Sequence, residues 1–219
     1  PTAPVLRGSF KTPGQAKNVA LFGTKVLVAD HMSGVDYVDV SNAAKPASLG
    51  SFFVEGYARD VVAVGPIAYV VDAPAGLYVL DLSKAGPLEP VGTLQSATAP
   101  AFIEVAETPA RNQKLAYLVG GGMLQVYDVS NPTAPAMVST LRMPGRPTRA
   151  AVNGTLAYVA TGVDGIQIVD LSNPATPIIV GAYKTPGPAR DVAVTEGHVF
   201  VAFTDGEDTG QVLILRQTP

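Results

Sequence analysis

The sequence contains no cysteine, which excludes disulfides, thiolate chemistry and cysteine-based zinc sites. Only two histidines occur, His31 and His198, so a histidine-rich metal site is excluded as well. Charge is scarce: 15 % of the 219 residues are charged, and the net charge is −3. A nucleic-acid protein needs a basic surface to neutralise phosphates, and nothing here supplies one. No apolar run approaches the roughly 18 residues of a membrane-spanning helix. The longest, "VVAVGPIAYVV" (61–71), is broken by Gly65 and Pro66 and predicts two strands with a turn. "GGGM" (120–123) lacks the lysine and the spacing of a phosphate-binding loop. "SNPT" (130–133) and "SNPA" (172–175) put proline after asparagine, which excludes N-glycosylation there. The chain begins at Pro1 with no charged-then-apolar leader, compatible with a removed signal or a trimmed start.

What is present points to a folded all-β chain. Apolar residues make up 47 %, which argues against disorder, and 22 glycines and 19 prolines are spread along the sequence as turn residues between short strands. An internal repeat dominates. "YVDVSNAAKP" (37–46), "VLDLSKAGP" (79–87), "VYDVSNPTAP" (126–135) and "IVDLSNPATP" (168–177) align on Asp39, Asp81, Asp128 and Asp170, spaced by 42, 47 and 42 residues. "GSFKTPGQAKNVAL" (8–21), "GSFFVEGYARDVVAV" (50–64) and "GAYKTPGPARDVAV" (181–194) keep the same step, with weaker copies at 91–105 and 138–152. Each unit holds four alternating apolar runs, such as "PAMVSTL" (135–141), "TRAAV" (148–152), "TLAYVAT" (155–161) and "GIQIVDL" (165–171). Four antiparallel strands in about 42 residues match a propeller blade better than a coil of a β-helix.

The phase of the repeat predicts one domain over residues 1–219, a five-bladed β-propeller with repeats at about 4–45, 46–86, 87–134, 135–176 and 177–219. "PVLRGSF" (4–10) occupies an outermost-strand position, while "QVLILRQTP" (211–219) leaves the fifth unit one strand short, so the N-terminal strand is expected to close the ring. Pro4, Pro46, Pro135 and Pro177 each begin an expected outermost strand, where proline is tolerated. The motifs "IQIVDLSNP" and "LQVYDVSNP" resemble those of the LVIVD-repeat β-propellers, and the resemblance spans residues 4 to 216. It implies an extracytoplasmic or surface-attached protein, often one module of a larger chain, and no common catalytic motif. Two departures stand out: an insertion, "ETPARNQK" (107–114), expected as a mobile polar loop on the opposite face, and Arg216 where other units carry aspartate.

Candidate sites follow from the repeat. Four copies of Asp-x-Ser suit a turn made once per blade, so Asp39, Asp81, Asp128 and Asp170 are read as structural rather than nucleophile-assisting. At the start of each innermost strand stand Asn18, Asp60, Phe102, Arg149 and Asp191, preceded in three units by Lys17, Arg59 or Arg190. By propeller geometry this is a channel-mouth ring, either a blade-to-blade clasp or a polar pocket for a ligand. Loops at 30–34, 72–76, 120–122, 161–165 and 204–210 share that face, making His31, Met32, Tyr57, Phe102, Arg146 and Arg149 the partner-binding candidates. Asp205, Glu207 and Asp208 are a weak Ca²⁺ candidate, better read as a solvated loop because the EF-hand spacing is absent. His31 beside Asp30 resembles an acid–base pair but has no nucleophile near it in sequence.

The sequence therefore suggests a non-catalytic, cofactor-free, extracytoplasmic binding or scaffolding module for another protein or a surface polymer, or a subunit of a larger envelope assembly. The alternative is a lectin or hydrolase at the channel mouth, using Asp60 with Asp191, or Asp30 with Asp60. Turn residues repeat while candidate contact residues do not, which fits one asymmetric interface.

Overall fold

The computed structural model describes residues 3–84, 86–96, 98–108, 113–195, 197–205 and 209–216. Its described residues form strands and turns without a helix, and so hold no helix long and apolar enough to cross a membrane. The chain divides between residues 97 and 98 into two compact units.

The first unit holds two antiparallel sheets. One runs β1 (Asn18–Phe22), β2 (Lys25–Ala29), β3 (Val35–Asp39) and β4 (Ala47–Phe52) in chain order. The other runs β5 (Tyr57–Val64), β6 (Ile67–Ala73), β7 (Gly76–Asp81) and β8 (Pro90–Gln95). The second unit has three. These are β9 (Pro100–Thr108), β10 (Gln113–Gly120), β11 (Met123–Asp128) and β12 (Ala136–Arg142); then β13 (Arg149–Asn153), β14 (Leu156–Ala160), β15 (Ile166–Asp170) and β16 (Ile178–Tyr183); then β17 (Ala189–Thr195), β18 (His198–Thr204) and β19 (Gly210–Arg216). Five consecutive up-and-down sheets of this kind fit the blades of a five-bladed β-propeller. The sequence repeat and the sheet are one strand out of phase, because each repeat begins on the outer strand of the preceding blade.

Short polar turns dictate the meander. Gly154, at φ 61° after Asn153, turns β13 into β14 with the positive φ that two-residue hairpins need. The central strands are apolar on both faces because both are covered: Leu27, Tyr69, Val70, Tyr117 and Val159 are almost wholly buried. Within each unit the first strands of successive sheets pack together, β1 on β5, β9 on β13 and β13 on β17. The cores lie between these neighbours, one around Leu27, Val35, Val61 and Leu80, others around Leu115, Leu124 and Val159 and around Ile166, Val192 and Val201. Burying one such leucine stabilises the fold by roughly 1.5–3 kcal/mol.

Two features differ from expectation, and a third was not foreseen. Residues 4–10, expected as the closing strand, carry no strand assignment, Val5 and Leu6 are exposed, and the β17–β19 sheet has three strands among the described residues. The ends of the 107–114 insertion lengthen a hairpin instead of forming a loop: Lys114 pairs with Glu107 in the ladder, and its Nζ lies 3.5 Å from the Glu107 carboxylate. Residues 109–112 lie outside the described residues. Outer strands also carry a bulge that the sequence did not suggest. Leu49, Val91, Val138 and Val180 each stand as an extra residue where the third strand meets the fourth.

Candidate functional site

The four repeated aspartates hold turns. Their Oδ1 atoms accept the backbone N–H of the residue two further on: Ser41 at 2.8 Å, Ser83 at 3.0 Å, Ser130 at 2.9 Å and Ser172 at 2.8 Å. Hydrogen bonds from Ser41 and Ser83 hold the carboxyls of Asp39 and Asp81 below the usual range. Asn42, Asn131 and Asn173 then cap the next turn in the same way, at 3.1, 3.1 and 3.4 Å.

The first-strand residues work between neighbouring blades. Asn18 Nδ2 donates to Asp60 Oδ1 across β1 and β5, and Asp60 is buried, also accepting from Val61 N at 3.0 Å. In the second unit the Arg149 guanidinium lies 4.5 Å from the centre of the Phe102 ring, joining β13 to β9. Asp191, by contrast, is exposed and accepts from Val192 N at 2.8 Å. Arg59 and Arg190 are the extra residues of bulges in β5 and β17, which turn their side chains outward. Lys17, at the corresponding position before β1, is exposed, and among the described residues neither it nor Arg59 has a carboxylate within ion-pair distance.

His31 and Tyr57 meet at the junction of the first two blades. Their rings stack with centroids 4.6 Å apart and planes inclined by 22°, and the Arg59 guanidinium stands 5.8 Å from the Tyr57 ring centre. The backbone fixes the arrangement, since His31 N donates to Ala58 O at 3.1 Å and Ala58 N to His31 O at 3.0 Å. His31 is also the non-glycine residue with positive φ among the described residues, at 56°. Partial burial and the charges of Lys17 and Arg59 lower its pKa, with Asp30 opposing them. Met32, beside it, is 66 % exposed.

Asp30, which precedes His31, is engaged away from the imidazole, in keeping with the reading of His31 as a surface histidine rather than an acid–base partner. Asp30 is fully buried, and its carboxylate accepts from Thr12 Oγ1 at 2.9 Å and from Gly14 N at 2.5 Å. Asp72 occupies the same place in the second blade and accepts from Gly56 N at 3.1 Å. Burial, and for Asp36 the neighbouring Asp30, pushes the carboxyls of Asp36 and Asp72 up. Sequence reasoning named Asp30 as a candidate acid but missed that it, Asp36 and Asp72 are buried. The only signal was the recurring "TPG" and its variants, whose glycines Gly14, Gly56, Gly145 and Gly187 all press on the loop between the second and third strands of their sheet.

Arg146 is exposed, and its backbone N–H donates to Thr161 O at 3.0 Å beside a shallow cleft of about 430 Å³ lined by residues 121–123 and 142–145. Asp205 closes its own loop by accepting from Thr209 N and Gln211 Nε2, each at 2.9 Å. Glu207 and Asp208 lie outside the described residues, and the described ones contain no cluster of three or more potential metal ligands.

The model of the LVIVD repeat matches five consecutive segments, residues 13–54, 55–89, 114–142, 144–185 and 186–207. The chain belongs to the LVIVD repeat family. In this LVIVD-repeat protein the first and fourth matched segments span whole sheets, β1–β4 and β13–β16, and the other three each fall within one of the remaining sheets. The fold is similar to the crystal structure of the computationally designed Ika8 protein, with a TM-score of 0.69 at 10 % identity. That match covers 92 % of this chain and 60 % of the Ika8 chain, a likeness of fold alone. No curated protein matches the sequence.

Proposed function

We propose that this LVIVD-repeat protein is a non-catalytic, extracytoplasmic binding module whose five blades form one ring, closed by residues 4–10 along β19. One observation carries the binding assignment. The blade junction bridged by His31 and Ala58 recurs in the second unit between Gly162 and Ala189, yet only the first copy carries a stacked aromatic pair with exposed cations beside it. A decoration on one copy of a repeated frame is what a single asymmetric interface requires. Of the carboxylates that the hydrolase alternative would recruit, Asp30 and Asp60 are buried and hydrogen-bonded while Asp191 is exposed and accepts from Val192 N, so neither pair shares one environment, which favours binding over hydrolysis. Strand closure is supported by the phase of the repeat, whose fifth unit is one strand short while "PVLRGSF" (4–10) stands at an outermost-strand position. The extracytoplasmic location follows the family resemblance.

Cross-linking mass spectrometry on the protein captured from its native source tests the assignment. Recurrent cross-links from Lys17 to one partner, or protection of Lys17 by a polymer, are expected. Labelling of Lys17 identical to that of the isolated protein would overturn the reading.

A further inference from the structure

We infer that the His31–Tyr57 plate, with Lys17 and Arg59, is a subsite for a carboxylate-bearing sugar ring of an acidic polysaccharide. The inference rests on the binding reading above and names its ligand class.

The backbone sets His31 apart from its counterparts. The position after Asp30 is filled by Ala73, Gly121 and Gly162 in the next three blades, and both glycines have positive φ, 57° and 71°. His31 adopts that glycine-like conformation with a full side chain, a strained choice where glycine would serve the junction equally well. Tyr57 is likewise an addition, because Gln15, Arg146 and Pro188 stand at its place in other blades. Two departures from the repeat thus meet in one stacked pair.

The chemistry around the plate selects the ligand. Tyr57 is 38 % exposed, and an aromatic face offers the C–H face of a sugar ring a flat apolar contact. Lys17 and Arg59 supply two positive charges, without an ion-pair partner among the described residues, around His31. A carboxylate on the stacked ring would meet them, with Arg59 able to bind it in a bidentate manner. An acidic peptide fits less well. Peptides that add to a strand need free backbone groups, whereas here His31 and Ala58 satisfy each other and Lys17 N is held by Ala29 O at 2.7 Å.

Calorimetric titration of the full chain with a short oligogalacturonate tests the inference, alongside an uncharged galacto-oligosaccharide and an oligoglutamate of equal length. Oligogalacturonate is expected to bind, the neutral sugar and oligoglutamate at least about tenfold more weakly. Tyr57→Ala, His31→Gly and Arg59→Ala should each weaken oligogalacturonate binding by about tenfold or more, with melting temperature confirming the fold. His31→Gly keeps a residue suited to the backbone, so its loss of binding would report the side chain. Equal binding of the neutral sugar or of oligoglutamate, or no binding of oligogalacturonate, would overturn the inference. If Lys17 still cross-links to a recurrent protein in that last case, the binding reading stands and the ligand class alone is wrong; if neither occurs, both fall.

Discussion

His31 holds two opposing terms in one residue. Its positive φ costs on the order of 1 kcal/mol, while its stacking on Tyr57 contributes about 0.5–1.5 kcal/mol. His31→Gly should therefore leave unfolding free energy within about 1 kcal/mol of the parent, read from denaturant midpoints; a loss above about 2 kcal/mol would make the residue structural. The buried acids give a pH signature. The carboxyls of Asp36 and Asp72 sit above their ordinary value in the folded state, which therefore binds more protons than the unfolded chain just above that value. Stability from these two groups falls as pH rises through that window, and Asp36→Asn should flatten the fall and raise the melting temperature near neutral pH. Asp39 and Asp81 act oppositely: their lowered values give stability above the ordinary carboxylate range that is lost as pH falls through the folded values. Turn aspartates were legible in the sequence because their partners lie two residues away. Asp30 and Asp72 were not, because each accepts from a glycine N–H sixteen residues earlier, a donor that no side chain advertises.

At the scale of the element, strand existence and loop placement were legible from alternation and turn residues. The loops between second and third strands in the first four sheets fall where the repeat suggested. The outer-strand bulges were hidden, since an extra valine or leucine in an apolar run leaves no mark. The entering segments are a second hidden element. Gly187 has no room for a Cβ, which would collide with the Thr204 carbonyl, while Gly210 faces open space at the start of β19. Gly187→Ala is expected to cost about 1–3 kcal/mol, and Gly210→Ala to be neutral or slightly stabilising, both measured by thermal melts. Equal effects at the two sites would show that the segment is not seated on the loop.

At the scale of the whole molecule, five matched repeats and five sheets make the propeller blade legible throughout, while the closing strand belongs to the proposal. Deleting residues 1–10 should lower the melting temperature by several degrees or more if those residues pair with β19, and leave it unchanged if they do not. In the proposed function one blade junction is adapted for binding while its counterpart in the second unit stays structural. The most direct test compares native-source capture by wild-type protein and by Tyr57→Ala, each quantified by cross-linking mass spectrometry. One recurrent ligand is expected to be lost from Tyr57→Ala at unchanged melting temperature. Retention of that ligand by the variant would contradict the proposed function.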